Sequence, residues 1–114
     1  MTEAPFNILA VADMDASDPA QPTIQQMSKQ VPNVDIFMHI GDFAYDIQDN
    51  NGELGDDFFK LMNEPCSKKP YIVTPGNHER PDKTKLMNYR FRMPGLIDDI
   101  TYRNNWFAFK VKDT

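Results

Sequence analysis

A short polar motif that could bind a metal ion follows an apolar run in the first half of the chain. The motif is Gly41-Asp42-x-x-Tyr45, and the apolar run covers residues 35–40. If this run is a buried strand of a parallel sheet, Asp42 lies at the carboxyl edge, where open α/β sheets collect ligands and catalytic groups. A tyrosine three residues later returns its phenol to the same side across one tight turn. Carboxylate and phenolate oxygens together suit a strongly Lewis-acidic metal ion, so the motif predicts a metal site.

Two other apolar runs also end in polar residues. Asp13 follows residues 6–12, and Asn77 and His78 follow residues 71–74 through a Pro-Gly pair. An amide oxygen can bind a divalent cation, and an adjacent imidazole can protonate or hydrogen-bond a phosphoryl oxygen. An aspartate after a strand is often only a turn former or a helix cap, and Asn-His is common in turns. The prediction therefore depends on all three strand ends meeting at one edge of the sheet.

The apolar runs alternate with segments of helical character. Strands are predicted at residues 6–12, 34–40 and 71–74, and helices at residues 24–30 and 56–62. Thr23 is predicted to cap the first helix and Pro65 to end the second. This order favours an α/β fold with a mostly parallel sheet and flanking helices. A further helix at 83–90 and a last strand at 106–111 are also predicted.

Composition limits the classes of protein that this chain can belong to. Its 114 residues allow at most one domain, and a net charge of −5 gives no reason to expect a surface for nucleic acid or anionic membranes. No apolar segment is long enough to span a bilayer, and the first residues do not resemble a signal peptide, so the chain taken literally stays in the cytosol. The single cysteine, Cys66, excludes an internal disulfide and is expected to be a buried or half-buried thiol.

Taken together, the motifs resemble those of a known family. Asp13, Gly41-Asp42-x-x-Tyr45 and Gly76-Asn77-His78-Glu79 are similar to the first three motifs of the calcineurin-like metallophosphoesterases. Tyr45 narrows the resemblance to purple acid phosphatases, and residues 42–57 and 88–94 resemble the animal and protist branch. The resemblance covers nearly the whole chain. It implies that residues 1–114 form the first half of a four-layer α/β/β/α sandwich whose carboxyl-terminal half is absent.

The resemblance also implies a role for each motif residue. Asp13 and Tyr45 would bind iron(III), and the Tyr45 phenolate would give the family its charge-transfer colour. Asp42 would bridge this ion to a second one, iron(II), zinc or manganese, which Asn77 would also bind. The two ions would activate the water that attacks a phosphomonoester. His78 would contact the phosphate and help to protonate the leaving alcohol.

The chain departs from the family pattern in two ways. Asp15 lies where the family usually has glycine or histidine, and it is expected to be a loop residue. The family completes its centre with three later histidines, whereas this chain has only His39 and His78, and His39 is expected to be a packed or supporting residue. The chain is therefore expected to be a fragment, with an uncovered sheet edge that favours association. Family members are usually secreted or lysosomal, so localisation is left open.

Three functions remain open at this point. The first is acid phosphatase-type hydrolysis of phosphomonoesters by a dinuclear metal centre that is incomplete in this chain. The second is an inactive fragment that binds a cation or phosphate or associates with another chain. The third is a different metallophosphoesterase, such as a nucleotide phosphodiesterase or a protein phosphatase, and Tyr45 argues against it.

Overall fold

A parallel three-stranded sheet forms the centre of the structure, a computed structural model that describes residues 4–79, 87, 89–91 and 108–111. The strands are β1 (Ile8–Val11), β2 (Ile36–Ile40) and β3 (Tyr71–Thr74), and their order in the sheet is β1-β2-β3. Both pairs are parallel, and helices α1 (Gln21–Gln30) and α2 (Glu53–Cys66) lie between successive strands in the chain. The predicted α/β fold with a parallel sheet and flanking helices is confirmed.

The two helices and one face of the sheet enclose the core. Side chains alternate between the faces of a strand, and the register places Phe37 of β2 beside Tyr71 of β3 and His39 beside Val73. A hydrogen bond of 3.0 Å between Ser28 and Glu64 joins the surfaces of α1 and α2. The side chains that are almost wholly buried here are mainly aromatic and long aliphatic groups: Phe37, Phe43, Phe58, Met27, Ile47, Met62, Met87 and Val73. This packing fixes β2 beneath the helices and thereby fixes where its carboxyl end points.

Both helices are longer than predicted. Helix α1 begins at Gln21, after a 3-10 turn at Asp18–Ala20, so Thr23 lies inside the first turn and the predicted cap was wrong. The reason is Pro22, whose fixed φ and missing N–H suit a first helical turn.

Helix α2 extends beyond its predicted bounds at both ends. It begins at Glu53 rather than at residue 56 and continues through Pro65 to Cys66. Proline removes one hydrogen bond within a helix, and in the last turn this loss did not end α2 where it was predicted to end. The first turn contains Glu53 and Asp56, whose negative charges interact favourably with the positive end of the helix dipole.

The strands differ from the prediction mainly in length. Strand β3 has the predicted bounds, while β1 and β2 are shorter than predicted. Residues 108–111, the described part of the predicted last strand, are not in a strand. An alternating pattern indicates two unlike faces, but a strand also needs a neighbour in register. Residues 106–107 of that prediction and most of the predicted helix at 83–90 lie outside the described residues, although residues 87, 89 and 90 are helical.

Within the described ranges, no helix has both the length and the apolar character needed to cross a bilayer.

The only cysteine of the chain lies in the last turn of α2. The thiol of Cys66 is free and half-buried, as predicted. Burial raises the pKa of this thiol to about 12. The group therefore stays protonated near neutral pH and is a poor nucleophile.

Candidate metal centre

The ends of the three strands meet at one edge of the sheet. The Asp13 N–H donates a hydrogen bond of 3.3 Å to the Gly41 carbonyl, and the Met14 N–H donates one of 3.0 Å to the Asp42 carbonyl. On the other side of β2, the His78 N–H donates to Oδ1 of Asp42 at 2.9 Å. The loop after β2 is thus hydrogen-bonded to the loops after β1 and β3, and the three strand ends meet at one edge, as predicted.

Tyr45 and Asp13 come into direct contact across this edge. The Tyr45 hydroxyl donates a hydrogen bond of 3.0 Å to Oδ1 of Asp13. Two oxygens that are each about 2.1 Å from one octahedral ion lie about 3 Å apart, so this pair has the spacing of two ligands of one cation. The Tyr45 side chain is 38 % exposed, which leaves the phenol accessible from solvent.

The surroundings of the Tyr45 phenol are strongly negative. Desolvation, then the hydrogen bond to Asp13, and then the charges of Asp13, Asp42 and Asp15 all raise the pKa of Tyr45 above its usual value. The phenol therefore stays protonated in the metal-free chain. A bound cation reverses this balance, because its charge favours the phenolate.

The backbone is strained at three of the predicted ligands. Asp13, Asp42 and Tyr45 have φ angles of 52°, 52° and 44°, which is the left-handed region. Residues with side chains avoid this region, and each such conformation costs about 1–3 kcal/mol. Strain of this kind gathers at active sites and ligand-binding loops. Its occurrence at these three residues supports a functional role for the edge of the sheet.

Two glycines allow the loops after β2 and β3 to approach closely. A Cβ atom on Gly41 would lie 2.5 Å from the Cα of Gly76, and Gly41 also has a φ of +75°. A Cβ atom on Gly76 would lie 2.2 Å from Oδ1 of Asp42. Both distances are far below van der Waals contact, so any side chain at either position would separate the loops.

His78 is half-buried, and its ring is held from two sides. The ring packs edge-on against Tyr45 with 4.6 Å between centroids, and Nδ1 lies 3.3 Å from Oδ1 of Asp46. The interpretation of the sequence did not include Asp46, although a carboxylate directly after Tyr45 was a usable signal. Asn77, which precedes His78 in the loop after β3, is exposed. It lies between Gly76, whose backbone packs closely against Gly41, and His78, whose N–H bonds Asp42.

Asp15 serves as a loop residue. Its carboxylate accepts a hydrogen bond of 2.6 Å from the Ala16 N–H and another from the Ser17 hydroxyl. Such bonds between an aspartate and the residues that follow it are typical of turns. The prediction that Asp15 is a loop residue is confirmed.

The candidate ligands are all oxygen donors. Across the described ranges, no three side chains of the His, Cys, Asp and Glu types come together as a metal-binding group. The predicted set instead joins two carboxylates to a phenol and an amide: Asp13, Asp42, Tyr45 and Asn77. Oxygen ligands of this kind fit a hard cation, and the contact between Tyr45 and Asp13 is the observation that tests the fit.

His39 is a packed residue, as predicted. Its ring is fully buried, lies 4.5 Å from the ring of Phe43 and 5.9 Å from that of Phe58 (between centroids), and hydrogen-bonds the Tyr71 hydroxyl through Nδ1. Desolvation lowers the pKa of His39 to about 4, although the nearby charge of Asp13 acts in the opposite direction. The imidazole is therefore neutral at pH 7 and packs in the core on the buried face of β2.

Lowering the pH from 7 to 5 is expected to destabilise the metal-free chain through His39. An ordinary imidazole has a pKa of about 6.5, and burial lowers that of folded His39 to about 4. Between these values the unfolded chain takes up a proton that the folded chain does not. The free energy of unfolding therefore falls as the pH falls, by up to ~1.4 kcal/mol per pH unit.

Urea unfolding at pH 7 and at pH 5 measures this dependence. The matched variant is His39→Gln, because glutamine can keep a hydrogen bond to Tyr71 but does not titrate. The variant should lose less stability than the wild type over this interval. Equal losses in the two proteins would show that His39 is not the group responsible.

Almost all of the chain is similar to one protein family. The family model of the calcineurin-like phosphoesterases matches residues 6–112. This match covers the three strands, both helices and every candidate ligand. No solved structure matches the chain at a significant level.

Individual relatives agree with the family match. Acid phosphatase type 7 from Danio rerio is 36% identical over 93 residues, which are 82% of this chain and 21% of that protein. The Homo sapiens protein of the same name is 36% identical over 79% of this chain and 20% of its own length. Purple acid phosphatase 21 from Arabidopsis thaliana is 28% identical over 94% of this chain and 25% of its own length.

These relatives bear out the predicted resemblance to purple acid phosphatases. The chain spans about a fifth to a quarter of the length of the curated relatives that it matches. Because the family match extends over almost all of the sequence and includes the loops at the edge of the sheet, the chain belongs to the calcineurin-like phosphoesterase family.

Proposed function

We propose that this chain supplies part of a dinuclear metal centre that hydrolyses phosphomonoesters. The observation that carries the proposal is the contact of 3.0 Å between the Tyr45 hydroxyl and Asp13 at the end of a parallel sheet. Beside it, the carboxylate of Asp42 is oriented by the His78 N–H at 2.9 Å. Relatives named acid phosphatase and purple acid phosphatase support the same reaction class.

Four side chains of this chain would hold the two ions. Asp13 and Tyr45 would bind the first, for which iron(III) is proposed, and Asp42 would lie between the two. Asn77 would bind the second, for which iron(II), zinc or manganese is proposed. When bound, such ions supply Lewis acidity at the phosphoryl group. His39 is not proposed as a ligand, because its ring is buried among aromatic side chains.

His78 would act on the leaving group. Its Nδ1 faces Asp46 at 3.3 Å, so a hydrogen bond there would leave Nε2 for the substrate. As the phosphorus–oxygen ester bond breaks, the imidazole would give its Nε2 proton to the alcohol oxygen that departs. Asp46 would keep the ring in the orientation that this transfer needs, in the way that a carboxylate orients a catalytic histidine.

The remaining ligands of the centre are proposed to be histidines outside these residues. The sequence contains two histidines in all, and the roles proposed above leave neither as a ligand. Under this proposal residues 1–114 form one partial domain and the full protein completes the site. A phosphatase assay with a chromogenic phosphomonoester, run together with metal analysis, tests the chain itself. Absence of both turnover and bound metal would reject activity for the chain.

The substitution Tyr45→Phe is expected to remove the visible colour of the iron-loaded protein. An iron(III)–phenolate pair absorbs visible light by charge transfer, and phenylalanine has no oxygen to bind the ion. The fold should be kept, because Tyr45 is 38 % exposed and its hydroxyl bonds Asp13 at the edge of the sheet rather than a group in the core. Absorption spectra of the protein with and without added iron(III) measure the effect.

The matched control for this spectrum is Tyr89→Phe. Tyr89 is 75 % exposed and is not among the proposed ligands, so the control should keep the colour. A visible band that survives in Tyr45→Phe would assign the phenolate to another tyrosine and would contradict the proposed first metal position.

An inactive binding fragment is a second candidate function. The observation that favours it is the exposure of two apolar side chains on strands, Ile8 at 49 % and Ile40 at 55 %. Exposed apolar groups on a sheet favour association with another chain. Stabilisation of the chain by Zn²⁺ without any turnover would support this function over hydrolysis by the chain itself.

A further inference from the structure

Glu79 is the one ionisable residue of the Gly76-Asn77-His78-Glu79 motif to which the proposed function gives no role. Its side chain is only 2 % exposed, whereas Asn77 in the same loop is exposed. A carboxylate that is removed from water is costly unless its oxygens are hydrogen-bonded. The partners of these oxygens therefore indicate what the residue does.

Three backbone amides from two different loops bind the Glu79 carboxylate. Oε2 accepts hydrogen bonds from the N–H groups of Asp42 and Gly76, each at 2.8 Å. Oε1 accepts a bond of 3.1 Å from the Phe43 N–H. Asp42 and Phe43 lie in the loop after β2, and Gly76 lies in the loop after β3. One side chain thus joins the two loops through their backbones.

A second link runs in the opposite direction. Oδ1 of Asp42 accepts a hydrogen bond of 2.9 Å from the His78 N–H. Each loop therefore contributes a carboxylate to the amides of the other, and Gly41 and Gly76 provide the close backbone approach that these bonds require. These reciprocal hydrogen bonds fix the orientation of Asp42 relative to His78.

We infer that Glu79 is a positioning residue that holds Asp42 at a fixed distance from Asn77 and His78, through its bonds to the amides of Asp42, Phe43 and Gly76. The expected consequence for metal binding rests on the proposed function. The arrangement itself is a property of the metal-free chain. The oxygens of Glu79 bind amides, so the residue acts through Asp42 rather than on the substrate.

Hydrogen exchange in the metal-free wild-type chain gives the first test. The amides of Asp42, Phe43 and Gly76 lie in loops outside the strands, where exchange is commonly fast. Because each donates to a buried carboxylate, we expect all three to exchange slowly, like amides of the strands. Fast exchange at all three positions would overturn the inference, whether or not the chain binds metal.

The substitution Glu79→Gln gives the second test. Glutamine is nearly the same size, but its NH₂ group would face one of the amide donors, and the loops would separate there. We expect the affinity for Zn²⁺, measured by titration calorimetry, to fall roughly 10- to 100-fold, the usual effect of losing a group that orients a metal ligand. The exchange of the Asp42 and Phe43 amides should become faster.

The matched control is Glu64→Gln. Glu64 is exposed on α2 and accepts a hydrogen bond of 3.0 Å from Ser28, which a glutamine carbonyl can still accept. This control should bind Zn²⁺ like the wild type. A folded Glu79→Gln variant with wild-type Zn²⁺ affinity and unchanged exchange would overturn the inference.

The variant Glu79→Asp separates position from charge. Aspartate keeps the negative charge but is one methylene shorter, so it cannot span both loops in the same way. Weakened Zn²⁺ binding in this variant supports a positioning role, and wild-type binding would assign the effect to charge alone and overturn it. If Glu79→Gln does not fold, Glu79→Asp and the wild-type exchange decide the matter. If the wild-type chain binds no Zn²⁺, the proposed function fails, and hydrogen exchange alone decides the role of Glu79.

Discussion

Replacing Asp42 with asparagine is expected to abolish metal binding at the edge of the sheet. Asparagine keeps the shape of the side chain, and its carbonyl oxygen can still accept the bond of 2.9 Å from the His78 N–H. The loop should therefore keep its conformation. The negative charge is lost, however, and a neutral amide cannot bridge two cations as a carboxylate can. Loss of a group that only orients a metal ligand lowers metal affinity roughly 10- to 100-fold. The loss of a bridging ligand should therefore weaken Zn²⁺ binding by more than roughly 100-fold.

Metal content of the purified protein and Zn²⁺ titration measure this loss, and turnover of a chromogenic phosphomonoester measures its consequence. The matched control is Asp57→Asn, which makes the same chemical change on the surface of α2. The exposed Asp57 pairs with Lys60 at 2.7 Å, and such surface pairs contribute about 0–1 kcal/mol. This control should keep the metal content, the Zn²⁺ affinity and the turnover of the wild type. Normal metal content in Asp42→Asn would remove Asp42 from the centre.

The sheet and the convergence of its loops could be predicted because apolar runs that end in polar residues are a strong local signal. The bounds of β3 follow from four β-favouring residues, Tyr71–Thr74, with proline and glycine directly after them. The parallel arrangement follows from the alternation of strands and helices. These features depend on short stretches of sequence, so the sequence alone was sufficient for them.

The helix bounds could not be read in the same way. The helix predicted at residues 24–30 leaves Pro22 outside, yet proline in a first turn is compatible with a helix. The helix predicted at residues 56–62 leaves Glu53 outside, whereas Gly52 takes a left-handed φ of 91° and serves as the cap from which α2 starts. In both cases one residue type allows two structures, and packing against the sheet selected the helix.

The supporting contacts of the candidate site depend on tertiary structure. Glu79 reaches the amide of Asp42 across 37 positions of the chain, and His39 reaches Tyr71 across 32. The left-handed φ of Asp42 likewise depends on the neighbouring loops, because an aspartate tolerates this conformation but does not require it. Sequence patterns predict which residues lie at an edge, but not which backbone groups hold them there.

Replacing Gly76 with alanine is expected to damage both the stability of the chain and its metal binding. The added Cβ would lie 2.2 Å from Oδ1 and 2.5 Å from the backbone nitrogen of Asp42. The backbone cannot yield as the end of a flexible side chain can, so the loops after β2 and β3 must separate. This separation would stretch the bond from the Asp42 N–H to Glu79 and the bond from the His78 N–H to Asp42. Overpacking of this kind costs about 1–3 kcal/mol, and we expect the free energy of unfolding to fall by about that amount.

The same movement would displace the carboxylate of Asp42 from Asn77, so Zn²⁺ binding should weaken together with stability. Urea unfolding and Zn²⁺ titration of one preparation measure the two effects. Pro75→Ala is the control within the same loop, since it adds no atom near Asp42 and should leave Zn²⁺ affinity close to that of the wild type. If Gly76→Ala binds Zn²⁺ as tightly as the wild type, the two loops do not need their close approach to form the centre. The expectation that metal binding depends on the spacing between Asp42 and the β3 loop would then be wrong.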